Sequence, residues 1–166
     1  MQADTRRIRM LQSMPLFGGV DDRIMGYLLS RAREVSRSEG TYYFRESDPG
    51  DAMYVLESGR VAIVKCWQDE EYVLRELNYG DSFGEMALID LFPRSASVLA
   101  KEDCEALEIS SDTLFEVYDR DPRQFTLIQM NVAREISRRL RVADERLFEL
   151  RMSERALHLK YDSHIY

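Results

Sequence analysis

Histidine is nearly absent from this chain. Its 166 residues include only His158 and His164, both close to the C-terminus. That argues against histidine-based catalysis in a core, and against a histidine-ligated metal there. Cysteine is equally scarce. Cys66 and Cys104 cannot complete a zinc or iron–sulfur site unaided, and they give no reason to expect an oxidising compartment. No apolar run approaches the ~20 residues that span a bilayer. Arg6, Arg7 and Arg9 interrupt the first ten residues, where a signal peptide would need an apolar stretch. The expectation is a cytoplasmic protein without a membrane partner. Basic charge is also in deficit. Lys+Arg is 23 against 30 for Asp+Glu, a formal net charge of −7. A duplex-binding surface normally shows a basic excess, so nucleic acid is not an expected partner.

What is present is a folding composition. Hydrophobic residues make up 45% and charged residues 32%, enough for a core without staples at this length. The apolar period changes twice along the chain. To about Val35 it is helical, with Ile8, Leu11 and Met14, then Ile24, Tyr27 and Leu28. Pro15 and Gly18-Gly19 break that stretch, and Asp21 or Asp22 can cap the second helix. From Thr41 to Ser110 the period falls to two, in short apolar runs separated by turn signals. From Ser111 it is helical again. After Asp121-Pro122 a long unbroken stripe runs through Phe125, Ile128, Val132, Ile136, Leu140, Ala143, Leu147 and Leu150. Such a stripe exceeds what a domain of this size needs, and a homodimer through the helix is expected; the alternative is a long helix packed on its own barrel. The domain reading is 1–120 for a strand-rich domain with N-terminal helices and 121–166 for the long helix and tail.

Chemistry is concentrated in one segment, S-F-G-E-M-A-L-I-D-L-F-P-R-S-A-S-V, residues 82–98. Gly84 permits close backbone approach to a bound group. Glu85 to Ile89 can form one helical turn whose first amides point outward together. Arg94 carries a planar fork that suits a phosphate or carboxylate, and Ser95 adds a hydroxyl. Glu85 supplies an acceptor beside them. One anion clamp and one carboxylate acceptor suit a ligand with a phosphate and a sugar hydroxyl. The plainer alternative is an ion pair between Glu85 and Arg94 at a loop base.

The run F83-G84-E85-M86-A87-L88 followed by P93-R94-S95-A96-S97-V98 resembles the phosphate-binding cassette of the cyclic nucleotide-binding domains. P15-L16-F17, the stretch G50-D51-A52-M53-Y54-V55-L56-E57-S58-G59 and the run G80-D81-S82 are similar to that family's pattern as well. The resemblance covers about residues 12–150, and R138-R139-L140-R141 is similar to the dimer helix of the catabolite activator group.

The resemblance implies a mainly β, α+β fold: a double-stranded β-helix jelly roll of eight strands with flanking N-terminal helices and a long C-terminal dimerisation helix. The ligand it implies is a cyclic mononucleotide, cyclic AMP or cyclic GMP, with no metal. Phe83 and Gly84 belong to the ligand loop. Glu85 would accept from the ribose 2′-hydroxyl. Arg94, the amides of Met86, Ala87 and Ser95, and the Ser95 hydroxyl would hold the cyclic phosphate. Asp144 stands where the activator group often meets the base, and its carboxylate could accept from guanine or face water. The implied role is a stand-alone regulatory sensor, not an enzyme, that signals to an unidentified downstream protein by rearranging its C-terminal helix. In the activator group a helix-turn-helix module follows the dimer helix. Arg151 to Tyr166 are too few to form one here. Two alternatives accompany this reading. The pocket is degenerate, with Leu91 and Phe92 crowding the phosphate loop, and the domain is a dimeric scaffold; or the chain is the sensor fragment of a longer transcription regulator.

Overall fold

A computed structural model describes the backbone of residues 2–162 and the side chains of residues 5–155. The side chains of His158 and His164 lie outside the described residues. Compact units divide at Val132, residues 1–132 forming one and 133–166 the other.

The first unit opens with α1 (Gln2–Gln12), a 3-10 turn at Pro15–Phe17 and α2 (Asp22–Arg31). Asp21 caps α2, its carboxylate accepting from the Ile24 amide at 2.8 Å. The helical reading to Val35 overruns. Ala32 already has extended backbone, and β1 (Arg33–Arg37) follows. Only Val35 is buried in β1, among polar and charged neighbours, so its sequence carries too little alternation to announce a strand.

Seven more strands complete the roll: β2 (Tyr42–Phe44), β3 (Ala52–Ser58), β4 (Val61–Trp67), β5 (Glu70–Leu77), β6 (Ser82–Phe83), β7 (Ser97–Ala100) and β8 (Cys104–Ser110). They make two antiparallel four-stranded sheets, ordered β1-β8-β3-β6 and β2-β7-β4-β5. This is the expected α+β jelly roll. Gln68 and Asp69 alone turn the chain, both with positive φ, as a two-residue hairpin requires.

β3 explains where the core sits. Tyr54 and Leu56 point between the sheets with Tyr43, Val61, Ile63, Phe83, Val98 and Ala106. Met53 and Val55, one residue out of phase, point to the opposite face and are just as buried, as are their ladder partners Ile109 and Leu107. A strand apolar on both faces must be covered twice. β8 runs directly into α4 (Ser111–Arg120), capped by Ser110, whose hydroxyl accepts from the Thr113 amide. α3 (Met86–Asp90) is a short helix between β6 and β7.

α5 (Pro122–Asp162) begins at Pro122, and the Asp121 carboxylate accepts from the amides of Arg123 and Gln124. Its first part belongs to the roll. Ile128 is 0% exposed and Val132 3%, and Asn131 donates to the carbonyls of Leu16 and Gly18. Residues 122–132 cluster with the first unit, and the rest of α5 with the second. In the second unit Glu135 pairs with Arg138 and Arg139 along the helix surface. No described helix is long and apolar enough to cross a membrane.

Candidate functional site

Phe83 ends β6, paired with Tyr54 of β3, and stacks on that ring at 5.1 Å between centroids. Its side chain is therefore core, and only its backbone is left to serve a ligand. Gly84 follows with φ +79°. A Cβ there would lie 2.7 Å from Arg94 Nη1 and 3.2 Å from the Ala52 carbonyl oxygen. Both the backbone sign and the packed side chain require glycine.

Glu85 precedes α3 and is 3% exposed. Met86 and Ala87 are the first residues of α3, and the opening amides of a helix lack intrahelical acceptors. Ala87 is buried against Gly50, where an added Cβ would sit 2.4 Å from Ala87 Cβ. After α3 the chain turns at Leu91, which has φ +58°. Leu91 is 87% exposed and Phe92 70%, so both project to solvent and neither crowds the loop.

Arg94 is the centre of the site. It is 5% exposed, and its guanidinium rests 4.1 Å above the Phe44 ring. Nη1 donates to the Gly84 carbonyl at 2.8 Å. Nε is buried and, among the described residues, donates to no protein acceptor. Arg94 thus bonds the Gly84 carbonyl where an ion pair with Glu85 was the plainer expectation. Burial pushes its pKa down, with Tyr54, Asp51, Glu108 and Asp48 opposing that shift. A buried cation with an unfilled donor is costly by itself and becomes favourable when an anion arrives. Ser95 is exposed, its hydroxyl 3.8 Å from Met86 Sδ, so the two arms of the loop meet there.

The structure therefore gathers Gly84, Glu85, Met86, Ala87, Arg94 and Ser95 around one loop. Asp144 is exposed on α5 and belongs to the second unit. Phe44 and the stretch Arg45–Gly50 are partners of Arg94 that sequence reasoning did not assign. Gly50 opens the quoted G-D stretch and could have been noticed; Phe44 gives no signal beyond being a strand aromatic. Among the described residues no three His, Cys, Asp or Glu side chains are grouped to hold a metal.

An eight-stranded jelly roll with a loop that turns at Gly84 beside one buried arginine is the architecture of a ligand-binding domain. Residues 34–121 match the model of the cyclic nucleotide-binding domain, and the chain belongs to that family. It is similar to the cyclic AMP receptor protein of Thermus thermophilus, 32% identical over 152 residues, which are 91% of this chain and 68% of that protein. It is also similar to the cAMP-dependent protein kinase regulatory subunit of Aspergillus fumigatus, 33% identical over 102 residues, 61% of this chain. The chain spans only 24% of that subunit's length. Among solved structures, the regulatory domain of Toxoplasma gondii PKA with cAMP superposes with a TM-score of 0.65 at 28% identity, covering 70% of this chain and 44% of that one.

Proposed function

We propose that this chain is a cyclic mononucleotide receptor, with cyclic AMP its principal ligand, and that it acts as a regulatory sensor and not as an enzyme. The observation that carries the reading is Arg94: buried, stacked on Phe44, and holding an Nε donor without a protein acceptor among the described residues. In the bound state Arg94 takes the cyclic phosphate, with the amides of Met86, Ala87 and Ser95 and the Ser95 hydroxyl completing the cradle. Glu85 accepts from the ribose 2′-hydroxyl. The choice of cyclic AMP over cyclic GMP is supported by the relatives named for it.

Signalling requires two states with unequal ligand affinity. Arg94 Nη1 donates to the Gly84 carbonyl, so a phosphate held by the same guanidinium is linked through it to Gly84 and to α3. The output is carried by α5. Its exposed Leu140, Leu147, Phe148 and Leu150 form the interface of a homodimer, while Ile128 and Val132 are already consumed by the roll. The downstream partner is a protein that reads the helix arrangement.

Calorimetry with cyclic AMP, cyclic GMP and linear AMP tests this. One cyclic AMP should bind per chain, more tightly than cyclic GMP and far more tightly than linear AMP. Failure of both cyclic nucleotides to bind at millimolar concentration overturns the reading.

A further inference from the structure

The loop between β2 and β3, outside the phosphate cassette, grips Arg94 from two sides. On the backbone side, the Arg94 amide donates to the Asp48 carbonyl at 2.9 Å, and the Ser47 amide donates to the Arg94 carbonyl at 2.9 Å. On the side-chain side, a Cβ added to Gly50 would lie 3.2 Å from Arg94 Nε and 3.3 Å from its Cδ. The same Gly50 abuts Ala87, so one short segment touches both arms of the cassette.

The segment is closed by a clasp. The Arg45 amide donates to Asp48 Oδ2 at 2.7 Å, and the Asp48 amide donates to the Arg45 carbonyl at 3.2 Å. Ser47, inside the clasp, has φ +70°, a conformation uncommon for a residue with a Cβ. Glu46 is fixed alongside, its amide donating to Ser97 Oγ at 2.9 Å and its carboxylate meeting Lys65 at 2.7 Å. Asp48 itself is exposed and packs into no core.

We infer that Asp48 is a positioning residue for nucleotide binding: its carboxylate clasps the Arg45–Asp48 turn, and the turn holds Arg94 where its fork can meet the phosphate. This rests on the reading of Arg94 as the phosphate clamp. The effect is geometric, and electrostatics alone gives the opposite sign. Asp48 is a negative charge near an anion site, so removing it for charge reasons would tighten phosphate binding.

Two substitutions separate the causes. Asp48→Asn removes the charge and keeps an acceptor for the Arg45 amide; Asp48→Ala removes both. Calorimetry with cyclic AMP should find Asp48→Ala roughly threefold to tenfold weaker than wild type, as the loss of one hydrogen-bond constraint implies. Asp48→Asn should stay within about twofold. In the Arg94→Ala background the Asp48→Ala change should cost nothing further. Hydrogen exchange without ligand gives a second readout. The Arg94 amide, bonded to the Asp48 carbonyl, should exchange faster in Asp48→Ala than in Asp48→Asn or wild type. Equal affinities for the Ala and Asn variants, or an Asp48→Ala loss that persists in full beside Arg94→Ala, overturn the inference. Wild-type affinity in Asp48→Ala with a clear loss in Arg94→Ala removes this inference alone. Wild-type affinity in Arg94→Ala removes the clamp reading and this inference together.

Discussion

Arg94 lies face-on over Phe44, 4.1 Å from the ring centroid, and the two side chains come from β2 and from the loop before β7. The ring supports a cation that the roll otherwise leaves without a carboxylate partner among the described residues. Arg94→Ala should weaken cyclic AMP binding by about 2–4 kcal/mol, the range for a desolvated charge pair that loses one member. The unliganded fold should lose little, because the variant also removes a depressed, incompletely bonded cation. Calorimetry and a thermal melt on the same two proteins check both halves.

Gly84→Ala should damage both stability and binding. It places a Cβ against Arg94 Nη1 in a residue with φ +79°. A loss of about 1–3 kcal/mol of stability follows from the strained backbone alone. A melt unchanged from wild type contradicts the described hinge.

Glu85 is tested through its ligand. Cyclic AMP should bind more tightly than its 2′-deoxy analogue by about 1.5–3 kcal/mol, the worth of a hydrogen bond to a charged acceptor. Glu85→Gln should shrink that ratio. If Glu85 only braces the loop, the variant weakens both ligands equally and the ratio stays as it was.

The exposed stripe on α5 predicts assembly. Leu147→Glu with Leu150→Glu should turn a dimer into a monomer by light scattering, leaving the melt of the roll nearly unchanged. A wild-type monomer at tens of micromolar ends the dimer proposal. Val132, expected from its spacing to meet a second chain, is buried in its own unit, so its substitution should instead lower stability.

Tyr54 gives a pH dependence. Burial, then a hydrogen bond with Glu108, raises its pKa to about 12 from an ordinary 10. Burial raises Tyr43 as well. A tyrosine whose folded pKa exceeds its unfolded value contributes fully below the unfolded pKa. Between pH 10 and 12 the unfolded chain holds fewer protons, so stability falls as pH rises, by up to about 3 kcal/mol for Tyr54. Denaturant melts across that window, followed by phenolate absorbance, should show unfolding and ionisation together.

The cassette was legible because its chemistry is contiguous: Gly84, Glu85 and Arg94 lie within one loop and differ sharply from their neighbours. The seat under Arg94 was not. Phe44 and Asp48 come from a distant stretch of the chain and meet Arg94 only through the β2–β7 pairing, which no local period encodes. The α5 stripe misled at Val132 for a related reason. A repeat of apolar residues says that a face is apolar and not what covers it, and here the roll buries only the first part of the stripe. β1 was missed because a strand with one buried residue has no alternation to read. Leu91 held a different surprise. It takes the left-handed backbone position usual for glycine, which keeps it and Phe92 outside the loop.

The double burial of β3 also bears on how the chain is made. Both β1 and β3 take their ladder partner from β8, with Arg33 opposite Glu108 and Ala52 opposite Ser110. Closing such distant pairs costs loop entropy before any contact compensates it. During synthesis, β1 and β3 leave the ribosome well before their shared partner exists. For that interval Met53 to Leu56 is an apolar strand whose β8 edge is open, the kind of segment that pairs with other chains. The hazard lasts until Cys104–Ser110 emerges, so a translational pause ahead of β8 should lower soluble yield, whereas one placed after it should not.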